Sequence, residues 1–137
     1  MHFYEVIEML KRDEGFRQHP YTCTAGKTTI AYGRNLTDNG ITESEGLYLL
    51  QNDVSDCDED LSRLMLSYEN FPHDIQIVLV NMRYNLGYSG FRSFKNMIAA
   101  FNARDYNRAA KEMKDSKWYN QVRQRAERLI KIVKEQT

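Results

Sequence analysis

Cysteine is scarce in this chain: Cys23 and Cys57 are the only two in 137 residues. So thin a supply cannot build a disulfide framework, and folding should not depend on oxidation. Net charge is absent as well, because 19 Lys and Arg balance 19 Asp and Glu, which argues against a general nucleic-acid binder that works by counterion release. Long apolar runs are missing too. The opening MHFYEVIEMLKRDEG holds no stretch of signal-peptide length, and no segment approaches the roughly 20 apolar residues of a membrane span. Neither self-directed export nor stable membrane insertion is therefore expected. His2, His19 and His73 show no H-E-x-x-H or Cys/His ligand spacing, so a metal enzyme is set aside and no cofactor is expected. The Asn35-Leu36-Thr37 sequon has meaning only in a eukaryotic secretory protein, which nothing else suggests.

What remains is an ordinary globular composition, 42% apolar and 28% charged, without low-complexity tracts or Pro/Gly-rich linkers. The length fits one domain whose active site lies in a cleft between lobes or on one face. The zero net charge hides an asymmetry. Residues 41–75 carry nine acids and one base, Arg63, whereas residues 76–137 carry thirteen bases and five acids. Such segregation reads either as solvated helix faces or as a basic lobe facing a polyanionic polymer.

Phe3, Val6, Ile7 and Leu10 recur with helical period, which predicts an amphipathic helix over 2–13 with Gly15 as its stop. Glu14 then sits at the negative end of the helix dipole, where the protonated acid is favoured. From Pro20 to Tyr32, threonines and tyrosines flank Ala25-Gly26-Lys27, predicting strand, tight turn, strand. A hairpin centred on Gly26 pairs Cys23 directly with Thr29, on one face. A second turn is expected at Asp38-Asn39-Gly40.

Thr42-Glu43-Ser44-Glu45 is a capping-box sequence, and Leu47, Leu50, Val54, Cys57, Leu61 and Leu64 follow at steps of 3 and 4. This predicts one helix of roughly 22 residues, about 33 Å long, joining two lobes with Cys57 as a core thiol. After Phe71-Pro72, IQIVLVNM is apolar nearly all round, as in a helix central to a lobe, ending near Gly87. Shorter helices are expected at about 93–101, 105–113 and 119–135. The fold class is mainly α (α+β) with one small N-terminal sheet.

Glycoside hydrolysis needs a carboxylic acid to protonate the leaving oxygen, and inverting enzymes also orient a water on the opposite face of the sugar. Glu14 is the candidate acid, with Cys23 and Thr29 as candidates to hold the water. Each of the three taken alone is more often structural: a glutamate at a helix end is usually just solvated, and a threonine on a hairpin is usually a β-former.

EGFRQHPYTCTAGKTTIAYG resembles the active-site segment of phage endolysins of the T4-lysozyme type, whose motif is Glu, eight residues, Asp or Cys, five residues, Thr. VLVNMRYNLGYSGFRSF and SKWYNQVRQRAERLI resemble the signature stretches of that family's C-terminal helical lobe, so the likeness covers nearly the whole chain. The resemblance implies a single two-lobed lysozyme domain over 1–137. It has an active-site lobe at about 14–60 and a helical lobe at about 66–137, with helix 1–13 packed on the latter.

It also implies a muramidase cutting the β-1,4 bond from N-acetylmuramic acid to N-acetylglucosamine in peptidoglycan. Glu14 is then the general acid, and Cys23 and Thr29 position water. Tyr84, Asn85 and Arg125 are the substrate-side residues, Arg125 matching the family's partner of the acid. Monomeric action without a cofactor is implied, as is release from the host bacterial cytoplasm to the wall by a separate holin for host lysis. The chain departs from the family at Cys23, where many members have aspartate, and at Ala31, where they usually have glycine. A thiol with an ordinary pKa of about 8.5 is mostly neutral at pH 7, so Cys23 is expected to position rather than deprotonate. A methyl at 31 costs little at negative φ but crowds the hairpin if glycine is required, which would reduce activity.

Three other readings stay open. A lytic transglycosylase also uses a lone Glu, but needs no held water. A wall-binding domain can keep the fold without the chemistry. Cys23 with His19 reads as the nucleophile and base of an amidase, although His19 precedes Pro20 and no orienting Asn or Asp is obvious.

Overall fold

The computed structural model describes residues 3–136. His2, counted above in the first helix and among the histidines, lies outside the described residues. The chain divides into two compact units, Met1–Tyr48 and Leu49–Thr137. The predicted mainly helical fold with one small sheet is observed.

In the first unit, helix α1 (Phe3–Glu14) stops where expected, with the Gly15 amide donating to the Lys11 carbonyl at 3.0 Å. Strands β1 (Arg17–Thr22), β2 (Thr28–Ala31) and β3 (Arg34–Asn35) follow as an antiparallel sheet in the order β1-β2-β3. Between β1 and β2 the Gly26 amide donates to the Cys23 carbonyl and the Cys23 amide to the Lys27 carbonyl, both at 2.9 Å, with Gly26 at φ +79°. This is a three-residue loop in which a turn is followed by a left-handed residue, the position that favours glycine.

The loop corrects the expected register. Thr29 pairs with Tyr21, not Cys23, because Gly26 takes the last loop position and the hairpin is centred on Ala25. Cys23 lies just beyond β1 and reaches Thr29 diagonally on the same face. A register irregularity between Arg17 and Tyr21 spans Pro20, which has no amide to give a ladder.

The link from β2 to β3 is also tight, with Ile30 opposite Arg34 and Thr29 opposite Asn35. Ala31 adopts φ +59° and Gly33 φ +73°. The turn expected at 38–40 proves to be the end of a short helix, α2 (Leu36–Asn39), capped by the Asn35 side chain at one end and by Gly40 at the other. The capping box then appears as predicted: the Glu45 amide donates to Thr42 Oγ1 at 3.1 Å and the Thr42 amide to Glu45 Oε1 at 2.8 Å. It opens helix α3 (Glu43–Leu64), whose 22 residues match the predicted length.

In the second unit, α3 delivers Cys57 and Leu61 to the core. Helix α4 (His73–Arg92) buries Ile75, Val78, Leu79, Met82 and Phe91, and its backbone leaves helical geometry at Gly87, near the expected end. Helices α5 (Lys95–Asn102), α6 (Tyr106–Lys114), α7 (Lys117–Gln121) and α8 (Arg123–Lys134) close around it. The single helix predicted for 119–135 is broken at Val122, whose φ of −123° is not helical. An interior ion pair ties α3 to α4, with Arg83 Nε 2.8 Å from Asp60 Oδ2. Arg104 lies 3.6 Å from the Phe71 ring centroid and donates to the carbonyls of Leu66 and Ser67, closing the turn after α3.

Ala31 is the strained point of the sheet. A left-handed non-glycine residue costs about 1–2 kcal/mol, and the added chain freedom of glycine in the unfolded state returns about 0.4–1 kcal/mol of that. Ala31→Gly is therefore expected to stabilise the protein by about 0.5–1 kcal/mol, raising Tm by about 2–4 °C in calorimetry. An unchanged or lower Tm would show that the methyl has compensating contacts.

Candidate active site

Glu14 is the last residue of α1 and faces the β2–β3 turn. A Cβ built on Gly33 would come within 2.8 Å of Glu14 Oε2, 3.0 Å of Cδ and 3.3 Å of Cγ. The carboxyl group therefore lies against bare backbone, in space that any other residue at 33 would fill. A cavity of about 400 Å³ opens at this turn, lined by Ala31, Tyr32, Gly33, Arg34, Asn35 and Asn39.

Thr29 is buried, 4% exposed, and its hydroxyl donates to the Lys27 carbonyl at 3.1 Å. A hydroxyl whose only proton is so placed still offers lone pairs to a donor such as water. The Cys23 thiol is held below its ordinary pKa by the Lys27 backbone amide first, then the Ala25 amide and the Thr29 hydroxyl, against a smaller opposing effect of desolvation. The Thr29 proton serves the Lys27 carbonyl, and the Cys23 sulfur lies diagonal to it across the hairpin. The expected neighbourhood of Cys23 and Thr29 thus stands, although their pairing is diagonal.

The turn that seats Glu14 is anchored from outside. Arg34 donates to both carboxylate oxygens of Glu45, at 3.0 and 2.5 Å, and to the Gly40 carbonyl at 3.1 Å. Glu45 is lowered to about 2, by the Arg34 hydrogen bond above all and then by the Thr42 amide. Its folded-state pKa is depressed, so the ion pair persists at all pH values well above 2 and weakens only as pH falls toward that value. Sequence reading found the capping role of Glu45 but missed this clamp. Arg34 lies 11 residues from Glu45, a separation that no helical or strand period marks.

The other three predicted residues belong to the second unit. Arg125 donates through Nε to Asn81 Oδ1 at 2.8 Å and through Nη2 to the Asn81 carbonyl at 3.3 Å. Tyr84 lines, with Asn81 and Arg125, a cavity of about 530 Å³. Asn85 points elsewhere, accepting a 2.8 Å hydrogen bond from the Trp118 indole. Asn81 was missed, since an isolated asparagine on an apolar helix carries no pattern. Among the described residues no group of three or more His, Cys, Asp or Glu side chains is placed to hold a metal ion.

A family model described as phage lysozyme matches residues 11–134. The chain is 30% identical to the pre-baseplate central spike protein Gp5 of Enterobacteria phage T4, over 93% of this chain and 27% of that protein. It is 26% identical to probable T4-type lysozyme 1 of Dictyostelium discoideum, over 93% of this chain and 92% of that protein. Probable T4-type lysozyme 2 of the same organism is 27% identical, over 91% of each. The match is thus to a small part of the spike protein and to nearly all of the two lysozymes.

The two thiols should behave oppositely. Cys57 is buried and desolvation pushes its pKa up, whereas Cys23 is partly exposed and lowered. Iodoacetamide labelling followed by mass spectrometry is expected to modify Cys23 first in the native protein, with a midpoint below that of an ordinary exposed thiol. Equal rates at the two positions would contradict the hydrogen bonds assigned to the Cys23 sulfur.

Proposed function

The chain belongs to the phage lysozyme family, a family of lysozyme-type glycoside hydrolases, and we propose that it hydrolyses the β-1,4 bond between N-acetylmuramic acid and N-acetylglucosamine in peptidoglycan, with inversion. The observation that carries this reading is the placement in one unit of the Glu14 carboxyl, lying against the bare backbone of Gly33, with Thr29 and, diagonal to it on the hairpin, Cys23.

Glu14, as the protonated acid, gives its proton to the glycosidic oxygen as the bond to the anomeric carbon breaks. A water on the opposite face of the sugar forms the new C–O bond. It donates one hydrogen bond to a Thr29 lone pair and another to the Cys23 sulfur. As it attacks, its second proton passes to solvent, and the Glu14 carboxylate is reprotonated from solvent. Cys23 positions this water and is not its general base. On the second unit, Tyr84 and Arg125, which line one cavity, are assigned to glycan binding, and Asn85, held by the Trp118 indole, is not. In the cell the enzyme acts as a monomer at the end of a phage cycle, accumulating in the host cytoplasm and reaching the wall through holes made by a separate holin.

The first test is mass spectrometry of fragments released from purified Gram-negative peptidoglycan, with Glu14→Gln in parallel. Hydrated, reducible muramic ends that vanish in the variant are expected. Anhydro ends would make the enzyme a transglycosylase, and cut stem peptides would move the chemistry to Cys23 and His19. Release of nothing would leave a wall-binding domain.

Cys23→Ser keeps a small group that can hold water. Its activity should stay within about tenfold of wild type, less than the 10²–10⁴-fold that loss of a general acid or base removes. A loss as deep as that of Glu14→Gln would overturn the positioning role. Expression without a holin should leave the protein inside the cell; appearance in the periplasm would refute the release route.

A further inference from the structure

Gly33 is not a member of the Glu-Cys-Thr set, yet its missing side chain is what leaves room for the Glu14 carboxyl. The distances given above place one carboxylate oxygen, Oε2, and the Cδ and Cγ behind it inside contact range of a Cβ at 33. Several other glycines of the first unit also have positive φ, but a Cβ on Gly15, Gly26 or Gly40 would meet nothing within 4 Å. Backbone conformation is the only reason for glycine at those positions, whereas at Gly33, also at positive φ, the Glu14 contact is a second one. The next residue, Arg34, is the one clamped to Glu45 and to the Gly40 carbonyl, and Glu45 is itself locked by the Thr42 capping box. A bidentate Arg–carboxylate pair sets orientation as well as distance. The seat and its anchor are contiguous in the chain.

We infer that Gly33 is a positioning residue for the catalytic acid, forming with the Arg34–Glu45 clamp a backbone seat that sets where the Glu14 carboxyl stands. The inference rests on the assignment of Glu14 as the acid. Glu14 is exposed and its side chain is flexible, so a methyl at 33 would displace the carboxyl rather than break the fold. An acid moved by about 1 Å loses on the order of 10²-fold in rate while the glycan still binds.

The test compares Gly33→Ala with Gly26→Ala, which imposes left-handed strain without the clash. Two readouts are taken: kcat and KM on a soluble peptidoglycan oligosaccharide, and carbon NMR of the Glu14 carboxyl, assigned by its loss in Glu14→Gln. Gly33→Ala should lower kcat about 100-fold with KM within about twofold, and should shift the Glu14 resonance. Gly26→Ala should leave that resonance in place. Glu45→Gln, which keeps the glycine and weakens the clamp, should lower kcat by a smaller factor at unchanged KM, and serves if Gly33→Ala does not fold. An unmoved Glu14 resonance in Gly33→Ala, or a kcat loss no larger than that of Gly26→Ala, would overturn the inference. If Gly33→Ala does not fold, unchanged kcat in Glu45→Gln would overturn it. A wild-type protein that releases nothing from peptidoglycan, but whose Glu14 resonance still moves in Gly33→Ala, would overturn the enzymatic reading and keep the seat.

Discussion

The first unit depends on a backbone constraint. Three strands fit into 19 residues only because both connecting loops turn through left-handed conformations, at Gly26 in one and at Ala31 and Gly33 in the other. Each loop brings a reactive side chain to where it can meet a partner. The Gly26 loop gives Thr29 a partner, Tyr21, two residues before Cys23, and so leaves the thiol just past β1, by backbone amides and diagonal to Thr29. The Gly33 loop clears the space occupied by the Glu14 carboxyl. Glycine occupies two of the three positions. Alanine occupies the third and carries the strain.

The two units are stabilised by different physics. The second has an apolar core in which Phe91, Phe101, Ile75, Leu79 and Met82 are fully buried, and truncation of one such side chain typically costs about 2–5 kcal/mol. The first has few buried side chains and relies on directed polar contacts: the Arg34–Glu45 pair, the Lys27–Asp38 pair at 3.2 Å, the Thr28 amide on Thr37 Oγ1 at 2.9 Å, and the Asn35 and Thr42 caps. Half-exposed ion pairs contribute little to global stability. Bidentate geometry and capping do constrain direction, which is what holds the turns around Glu14, Cys23 and Thr29 in place.

The helical part of the fold was legible because its signals are periodic and local. The stripe from Leu47 to Leu64, the Thr42–Glu45 box and the nearly all-apolar run in α4 each needed only a window of some 4–20 residues to read. The hairpin was legible as a hairpin, but its register was not. Glycine marks that a left-handed residue is needed without saying which loop position it fills, and moving it from the centre to the last position shifts every pair. The break at Val122 was missed for a related reason: the apolar period continues across it, and only the observed φ shows the helix restarting.

The sequence by itself determined the spacing of Glu14, Cys23 and Thr29, the family, and the helical frame, because these are properties of order along the chain. Tertiary structure alone decided that the sign of φ at Ala31 is positive, that Cys23 meets Thr29 on a diagonal, that Arg34 is bound to Glu45, and that Gly33 is the residue under the Glu14 carboxyl. Those facts depend on distances of a few ångströms between residues 6 to 19 positions apart. No propensity or period encodes such distances, and they arise only when the turns close.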